Sequence, residues 1–197
     1  MSLGVVILAG GYGTRLAGIW DGPKCLVPVG GRPLLDRLLR RIVGLRPERV
    51  VLSLAHRADE VLTWTRAAPR FDAALRLFPV VEAMPTGTAG ALRACAGAFS
   101  TNIHNVLVVN GDTLPCYTYS EIVVAAMSEK ERPTVAWCRK RNALAGAAVL
   151  PSAYFAKICA SNYSNLDTYL ADAKRCFVPN FLDVGTPDGF LQAKEWK

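Results

Sequence analysis

From one end to the other, the chain alternates short apolar, β-branched runs with segments whose apolar residues recur at helical spacing. Few folds accommodate that alternation. Residues 5–8 (VVIL) predict a buried strand that runs into a glycine loop. Residues 49–54 (RVVLSL), 75–80 and 104–109 (HNVLVV) predict the next three strands, and 134–138, 147–150 and 181–184 predict the last. Between them Pro33, which has no N–H to satisfy, opens a helix in PLLDRLLRRIVGL. Helices are also expected at 59–66, 88–98, 119–130, 153–159 and 166–173, the last capped by Ser164. Thr186 and Pro187 then cap and start a C-terminal helix.

Strands separated by helices imply βαβ units and a mostly parallel sheet covered on both faces. The expected fold is therefore α/β, a Rossmann-like three-layer αβα sandwich. No low-complexity linker divides it, so residues 1–197 read as a single domain. Sheets of this kind bind ligands beyond the carboxyl ends of their strands. The glycine loop after Leu8, the NGD after Val109 and the region of Asp183 all fall at or near such ends.

Composition narrows the partners. With 197 residues, 51% of them hydrophobic and 20% charged, the chain is neither disordered nor a disulfide-stapled mini-protein. No apolar run approaches the roughly 18–20 residues that cross a bilayer. The opening LGVVILAGG has no basic segment before it and is cut short by glycines, so it reads as a strand and not as a secretion signal. A cytoplasmic protein without a membrane partner is expected. Six scattered cysteines with no CxxC pair read as reduced thiols rather than disulfides or a zinc site. The net charge is +7. No basic tail or aromatic-interleaved basic face accompanies it, and Arg37, Arg40 and Arg41 fall on the solvent side of their helix pattern. A small anionic substrate explains the charge as well as nucleic acid does, and no nucleic-acid partner is expected.

Two segments carry the candidate chemistry. In LAGGYGTRL, Gly10, Gly11 and Gly13 leave backbone N–H groups open to phosphate oxygens, and Arg15 adds a bidentate cation. Leu16 stands where a dinucleotide fingerprint needs its third glycine, and no Gly-Lys-Ser/Thr follows, so the loop is neither that fingerprint nor a Walker loop. Taken alone it is also an ordinary tight turn. In DGPKCLVPVGGRPLLDRLL, Lys24 follows Pro23, whose restricted backbone can aim the ammonium back at the loop. Asp112 in NGDT reads either as a ligand or as a turn former, and Asp183 either as a ligand or as an acid ahead of a helix cap. His56 reads as a structural histidine. Trp20 reads as a loop anchor or as part of a closing site.

Together these pieces resemble the sugar-1-phosphate nucleotidyltransferases. LAGGYGTRL with PKCLVPVGGRPLLDRLL resembles the N-terminal signature of that family. EAMPTGTAGAL, from Glu82 to Leu92, resembles its nucleobase segment, VLVVNGDTL its metal-binding strand end and FLDVGTPDGF its second metal motif. The resemblance implies attack by a sugar-phosphate oxygen on the α-phosphorus of a nucleoside triphosphate, with pyrophosphate leaving. It implies that Gly10, Gly11 and Gly13 cradle the triphosphate, that Arg15 helps the pyrophosphate depart, and that Lys24 holds phosphate near the reacting centre. Leu8, Ala9, Thr14 and Glu82 complete the nucleotide site, and Gly87 and Thr88 lie along the base. Asn110 and Gly146 meet the sugar phosphate, and Asp112 and Asp183 share a Mg²⁺. Arg15, Lys24 and Asp112 are the expected catalytic residues. The implied partners are an NTP and a sugar 1-phosphate, and a homo-oligomer is compatible with the sequence. Heptose-1-phosphate guanylyltransferases look most similar, which implies GTP and D-glycero-D-manno-heptose 1-phosphate. Mannose-phosphate guanylyltransferases and muramate-phosphate uridylyltransferases share much of the pattern.

The departure from that pattern lies between Val135 and Leu150. Leu144 stands where the family carries an Asn, and the family's sugar-phosphate Lys has no clear counterpart. Arg139, Lys140 or Arg141 substitutes for it, or these are exposed loop charges. A shortened sugar region also fits a non-catalytic nucleotide-sugar-binding or regulatory homologue. A transferase acting on another phosphorylated acceptor, such as a molybdopterin or an alcohol phosphate, is the second enzyme reading. Those relatives favour Ser-Arg-Met-like loops, whereas this loop is Thr14-Arg15-Leu16.

Overall fold

The computed structural model describes residues 2–129 and 131–196. In chain order, strand β1 (Leu3–Leu8) leads through the glycine loop to a hairpin of β2 (Pro28–Val29) and β3 (Arg32–Pro33), then to α1 (Leu34–Val43). β4 (Arg49–Leu54), α2 (Ala58–Arg66), α3 (Pro69–Leu75), β5 (Leu77–Val81) and α4 (Thr88–Cys95) come next. β6 (Asn105–Asn110), β7 (Thr113–Pro115), α5 (Tyr119–Met127), β8 (Thr134–Cys138), β9 (Ala143–Pro151) and α6 (Ser152–Cys159) follow. β10 (Lys174–Val178), β11 (Phe181–Asp183) and α7 (Pro187–Lys194) close the described chain.

Seven strands form one sheet in the order β10-β8-β9-β6-β1-β4-β5. Only β9 opposes its neighbours β6 and β8; the other adjacent pairs are parallel. The α/β expectation therefore holds. Period-two alternation builds two cores from the same strands. Val5, Ile7, Val50, Leu52, Leu107 and Val109 pack under Leu35 and Leu38 of α1 and Ile122 of α5. Val6, Val51, Val106 and Val108 face the other way, onto Leu92 of α4 and Ile158 of α6. Burying each such side chain contributes about 1.5–3 kcal/mol, so both faces must be covered and three layers result.

Several sequence expectations need correction. Pro33 caps α1 from the end of β3, with ψ 141°, instead of occupying the first helical turn. Residues 69–75 form α3, a helix the apolar pattern does not announce. Pro69 sits in its first turn, and Leu75 is its buried end and not the start of a strand. β5 starts two residues later than expected, at Leu77. The expected helix at 166–173 is only a 3₁₀ turn, Leu166–Tyr169, capped by Asn165 and not by Ser164. The asparagine side chain accepts from the Asp167 amide at 3.0 Å and starts the turn, which ends at Tyr169 with Leu170 as its C-cap. Strands β7 and β10 were not expected. β11 joins β7 in a separate antiparallel pair and not the main sheet. The expected helix from 119 ends at Met127, and Lys130, its expected last residue, lies outside the described residues. As expected, Thr186 caps α7, its hydroxyl accepting from the Gly189 amide at 3.2 Å, with Pro187 beginning the helix.

Arg37 is not a purely solvated arginine. It donates to the carbonyls of Val29 and Gly30, fastening the hairpin to α1. Asp36 beside it is buried, paired with Arg40 at 2.6 Å and with Arg70. All six cysteines are free thiols. Among the described residues no helix is long and apolar enough to cross a membrane.

Candidate functional site

The parallel registers align Leu8 of β1 with Ser53 of β4 and with Asn110 of β6, so three strand ends form a level floor. The chain passes from β1 to β4 and β5 on one side of β1, and returns to β6 on the other. That reversal opens a crevice at the carboxyl ends. A cleft occupies it, lined by Leu8, Ala9, Gly10, Gly11, Lys24, Glu82, Gly87, Thr88, Asn110 and Asp112, all expected from sequence. Cys25, Ser53, Pro85, Thr86, Ala91 and Gly111 line it as well and were not expected. All but Ser53 lie inside the family-like segments quoted above without having been singled out there, and Ser53 is placed only by the register of β4 with β1.

The glycine loop packs against the end of β4, where a Cβ on Gly10 would stand 2.8 Å from the Ala55 backbone nitrogen. Gly13 takes φ 69° and turns the chain into the 3₁₀ turn Thr14–Leu16. Among the described residues the amides of Gly11, Tyr12, Gly13 and Thr14 have no acceptor, and concave sets of free amides favour anions. Gly13, Thr14 and Arg15, also expected in the nucleotide site, do not line the cleft wall. The Lys24 stem runs past Gly13, and its Nζ donates to Asp112 Oδ2 at 2.6 Å.

Asp112 follows β6, and Asp183 ends β11. The pairing of Asp183 with Thr113 brings the two acids side by side, and the Val184 amide adds a bond to the Asp112 carbonyl at 2.9 Å. Gly185 sits between them. A Cβ there would lie 2.9 Å from Asp112 Oδ2, 3.1 Å from Asp183 Oδ1 and 3.3 Å from an Arg15 guanidinium nitrogen. The two carboxylate oxygens are therefore no more than about 6 Å apart. Arg15 reaches Asp183 Oδ2 at 3.5 Å, and the Gly185 amide donates to Asp183 Oδ1 at 2.9 Å. Two cations and two carboxylates thus gather around a site with no side chain. Among the described residues no third acid, histidine or cysteine joins them.

A second cavity adjoins the first and shares Thr88 and Asn110 with it. Gly146 lines this second cavity together with Asn110. Leu144, the departure noted in the sequence, forms part of its wall with Val108, Leu166 and Leu170, and Asn165 and Asp167 supply polar groups. The Thr88 hydroxyl accepts from the Leu166 amide at 2.7 Å and ties the start of α4 to this wall. Arg139, Lys140 and Arg141 line neither cavity. Arg139 stacks on Phe177, and Arg141 covers Phe181 and donates to Asn180.

Trp20 is a packed anchor. Its indole donates to the Pro23 carbonyl at 3.2 Å, and its ring lies 6.2 Å from that of Phe190. His56 is exposed beside the glycine loop, its ring 5.3 Å from that of Tyr12, so the expectation of a satisfied structural histidine is not met. Burial pushes the Cys25 thiol up to about 12, which leaves it protonated although it faces the cleft.

The MobA-like NTP transferase domain matches residues 5–175. The chain belongs to the MobA-like NTP transferase family. Its match covers β1 to the start of β10, including Lys24 and Asp112, and stops short of Asp183. The bifunctional protein GlmU of Cereibacter sphaeroides is 38% identical over 112 residues, 57% of this chain and 23% of that protein. The chain thus spans less than a third of the curated relatives it matches. Solved structures share the fold. HddC from Yersinia pseudotuberculosis superposes with TM-score 0.76 at 22% identity, covering 98% of both chains. A UTP-bound UGPase from Acinetobacter baumannii gives 0.78 at 15% identity, covering 99% of this chain and 93% of its own.

Proposed function

We propose that this NTP transferase moves a nucleoside monophosphate from an NTP onto the phosphate of a sugar 1-phosphate, forming an NDP-sugar and pyrophosphate. The observation that carries the reading is the gathering of Arg15, Lys24, Asp112 and Asp183 around the bare Gly185 at the foot of the glycine loop. Two polyanions must approach each other for this reaction, so positioning and charge neutralisation supply most of the catalysis. The free amides of residues 11–14 would hold the triphosphate. Lys24 would swing from Asp112 to phosphate oxygens beside the α-phosphorus, and Arg15 would accompany the leaving pyrophosphate. The acceptor, bound beside Asn110 and Gly146 in the second cavity, would attack the α-phosphorus through a phosphate oxygen, with no covalent intermediate on the chain.

Asp112 and Asp183 suit a magnesium ion, which takes one or two carboxylates and completes its shell with phosphate and water oxygens. The space that a Gly185 side chain would fill leaves room beside both. A bound Mg²⁺ would supply charge neutralisation at the reacting phosphate.

GTP and D-glycero-D-manno-heptose 1-phosphate are the proposed pair. The sequence resemblance supports it, and so does the shared fold with HddC, also solved with GMP-PN. An NTP-consuming enzyme of this kind would work in the cytoplasm. The alkyl wall at Leu144 favours a second reading, a different phosphorylated alcohol as acceptor. One experiment tests both: incubation with each NTP, Mg²⁺ and a panel of sugar 1-phosphates and alcohol phosphates, with release of pyrophosphate measured. NTP binding without release from any pair would overturn the enzymatic reading in favour of a binding module.

A further inference from the structure

We infer that Arg139 and Arg175 form a second anion site, outside the nucleotide cleft and beside the second cavity, that takes a phosphate or carboxylate group. The inference goes beyond the reaction proposed above and does not depend on it.

Two rows of side chains cross one face of the main sheet. Val108 of β6, Ala148 of β9, Val135 of β8 and Arg175 of β10 are register partners in turn. Leu144, Trp137 and Phe177 form the next row on β9, β8 and β10. Register partners face the same side of a sheet. Val108, Leu144 and Ala148 line the second cavity, so its floor runs on through Val135 and Trp137 to β10, the last strand of the sheet. There the face turns from aliphatic to aromatic and cationic. The Arg175 guanidinium carbon lies 3.9 Å from the centre of the Trp137 ring, and that of Arg139 lies 3.9 Å from the centre of the Phe177 ring. The two ring-bearing residues stand one strand spacing apart, about 5 Å.

Stacking orients the flat guanidinium and leaves its rim of N–H donors free for a planar or tetrahedral anion. Arg141 nearby directs a donor to Asn180, but among the described residues neither Arg139 nor Arg175 pairs with an acid. Cations held on neighbouring rings repel each other, and an anion between them removes that repulsion and accepts from both. The second cavity offers an anion no alternative. None of its lining residues is a cation, and Asp167 is its one charged group. A negative group near the cavity is therefore disfavoured inside it and favoured past Leu144, at the two arginines.

Trp137 reports on the site, since an anion that engages Arg175 disturbs the stack on its indole. The test is titration with inorganic phosphate, against chloride at matched ionic strength, followed by tryptophan emission. It is run on wild type, on Trp137→Phe and on the double variant Arg139→Gln/Arg175→Gln, with a thermal melt of each. Phosphate should change the wild-type emission, and Trp137→Phe should lose the change. The double variant should bind phosphate at least about tenfold more weakly, the effect of losing charge-assisted bonds. An emission change that survives in Trp137→Phe, none in the wild type, or undiminished affinity in the double variant would overturn the proposal. If the double variant melts early, Arg175→Lys takes its place: it keeps the charge, loses the planar fork and should weaken phosphate in the same direction. Pyrophosphate release then identifies the source of the anion. A preference for a sugar 1,6-bisphosphate over the matching sugar 1-phosphate, lost in the double variant, places the anion on the far end of the acceptor. An effect of added phosphate on turnover of the sugar 1-phosphate, lost in the same variant, makes it a separate ligand.

Discussion

Lys24 Nζ rests 2.6 Å from Asp112 Oδ2, with both side chains about four-fifths buried. The pair joins the glycine-loop side of the cleft to the end of β6. It also keeps a cation and an anion parked where the proposed substrates would need each of them separately. Lys24→Met should lower kcat by about 10²–10³, the cost of removing one preorganised charge-stabilising donor. Pyrophosphate release under saturating substrates checks this, and near-wild-type turnover would remove Lys24 from the mechanism.

Asp112→Asn and Asp183→Asn should each reduce turnover by orders of magnitude, because the Mg²⁺ they would hold is worth several kcal/mol of charge stabilisation. Chelation with EDTA should stop the wild-type reaction, and excess Mg²⁺ should restore it. Unimpaired turnover in either variant would break the metal assignment.

Gly185→Ala separates architecture from chemistry. The new methyl would press on the ends of the Asp112, Asp183 and Arg15 side chains, which can move, and not on backbone. The melting temperature should change by no more than about 2–4 °C, equivalent to about 1 kcal/mol in a chain of this size. Turnover should drop at least about tenfold as the carboxylates are displaced. A fully active variant would show that the space between the acids is not used.

Acid stability should depend on Asp36. Burial works to raise its pKa, but hydrogen bonds and charge from Arg40 and Arg70 outweigh burial and hold it below the ordinary 3.8. Stability from this carboxylate is present above that ordinary value and is lost as pH falls through the depressed one. Asp36→Asn should cost about 1–2 kcal/mol at neutral pH, discounted because both arginines are half exposed. It should also flatten the acid limb of the stability curve below about pH 4. Urea midpoints between pH 2 and 7 would report both effects, and a parallel downward shift of the curve would refute the linkage.

Much of this architecture was legible because strands buried on both faces announce themselves as β-branched runs, as VVIL and HNVLVV do. The approach of Asp112 to Asp183 was legible only through the family resemblance. It depends on β7 and β11, three residues each, too short for any periodicity to register. Helix α3 was hidden because PRFDAAL buries only Phe71 and Leu75, too few positions to set a period. The stretch at 166–173 misled in the opposite sense: its apolar spacing suits a helix, but the chain coils only over Leu166–Tyr169 before Lys174 onward pairs in extended form with β8. Of the cleft wall, Ser53 lies outside every family-like segment and is placed only by the register of β4 with β1.

The antiparallel clasp between β7 and β11 has a temporal meaning. On the ribosome, the glycine loop, Lys24 and Asp112 are synthesised well before the strand that carries Asp183, and the family match itself ends ahead of that strand. The seven-stranded sheet needs no residue beyond β10, whereas the acidic pair needs β11. In synthesis order the proposed acidic pair is therefore completed last, by the strand that carries Asp183.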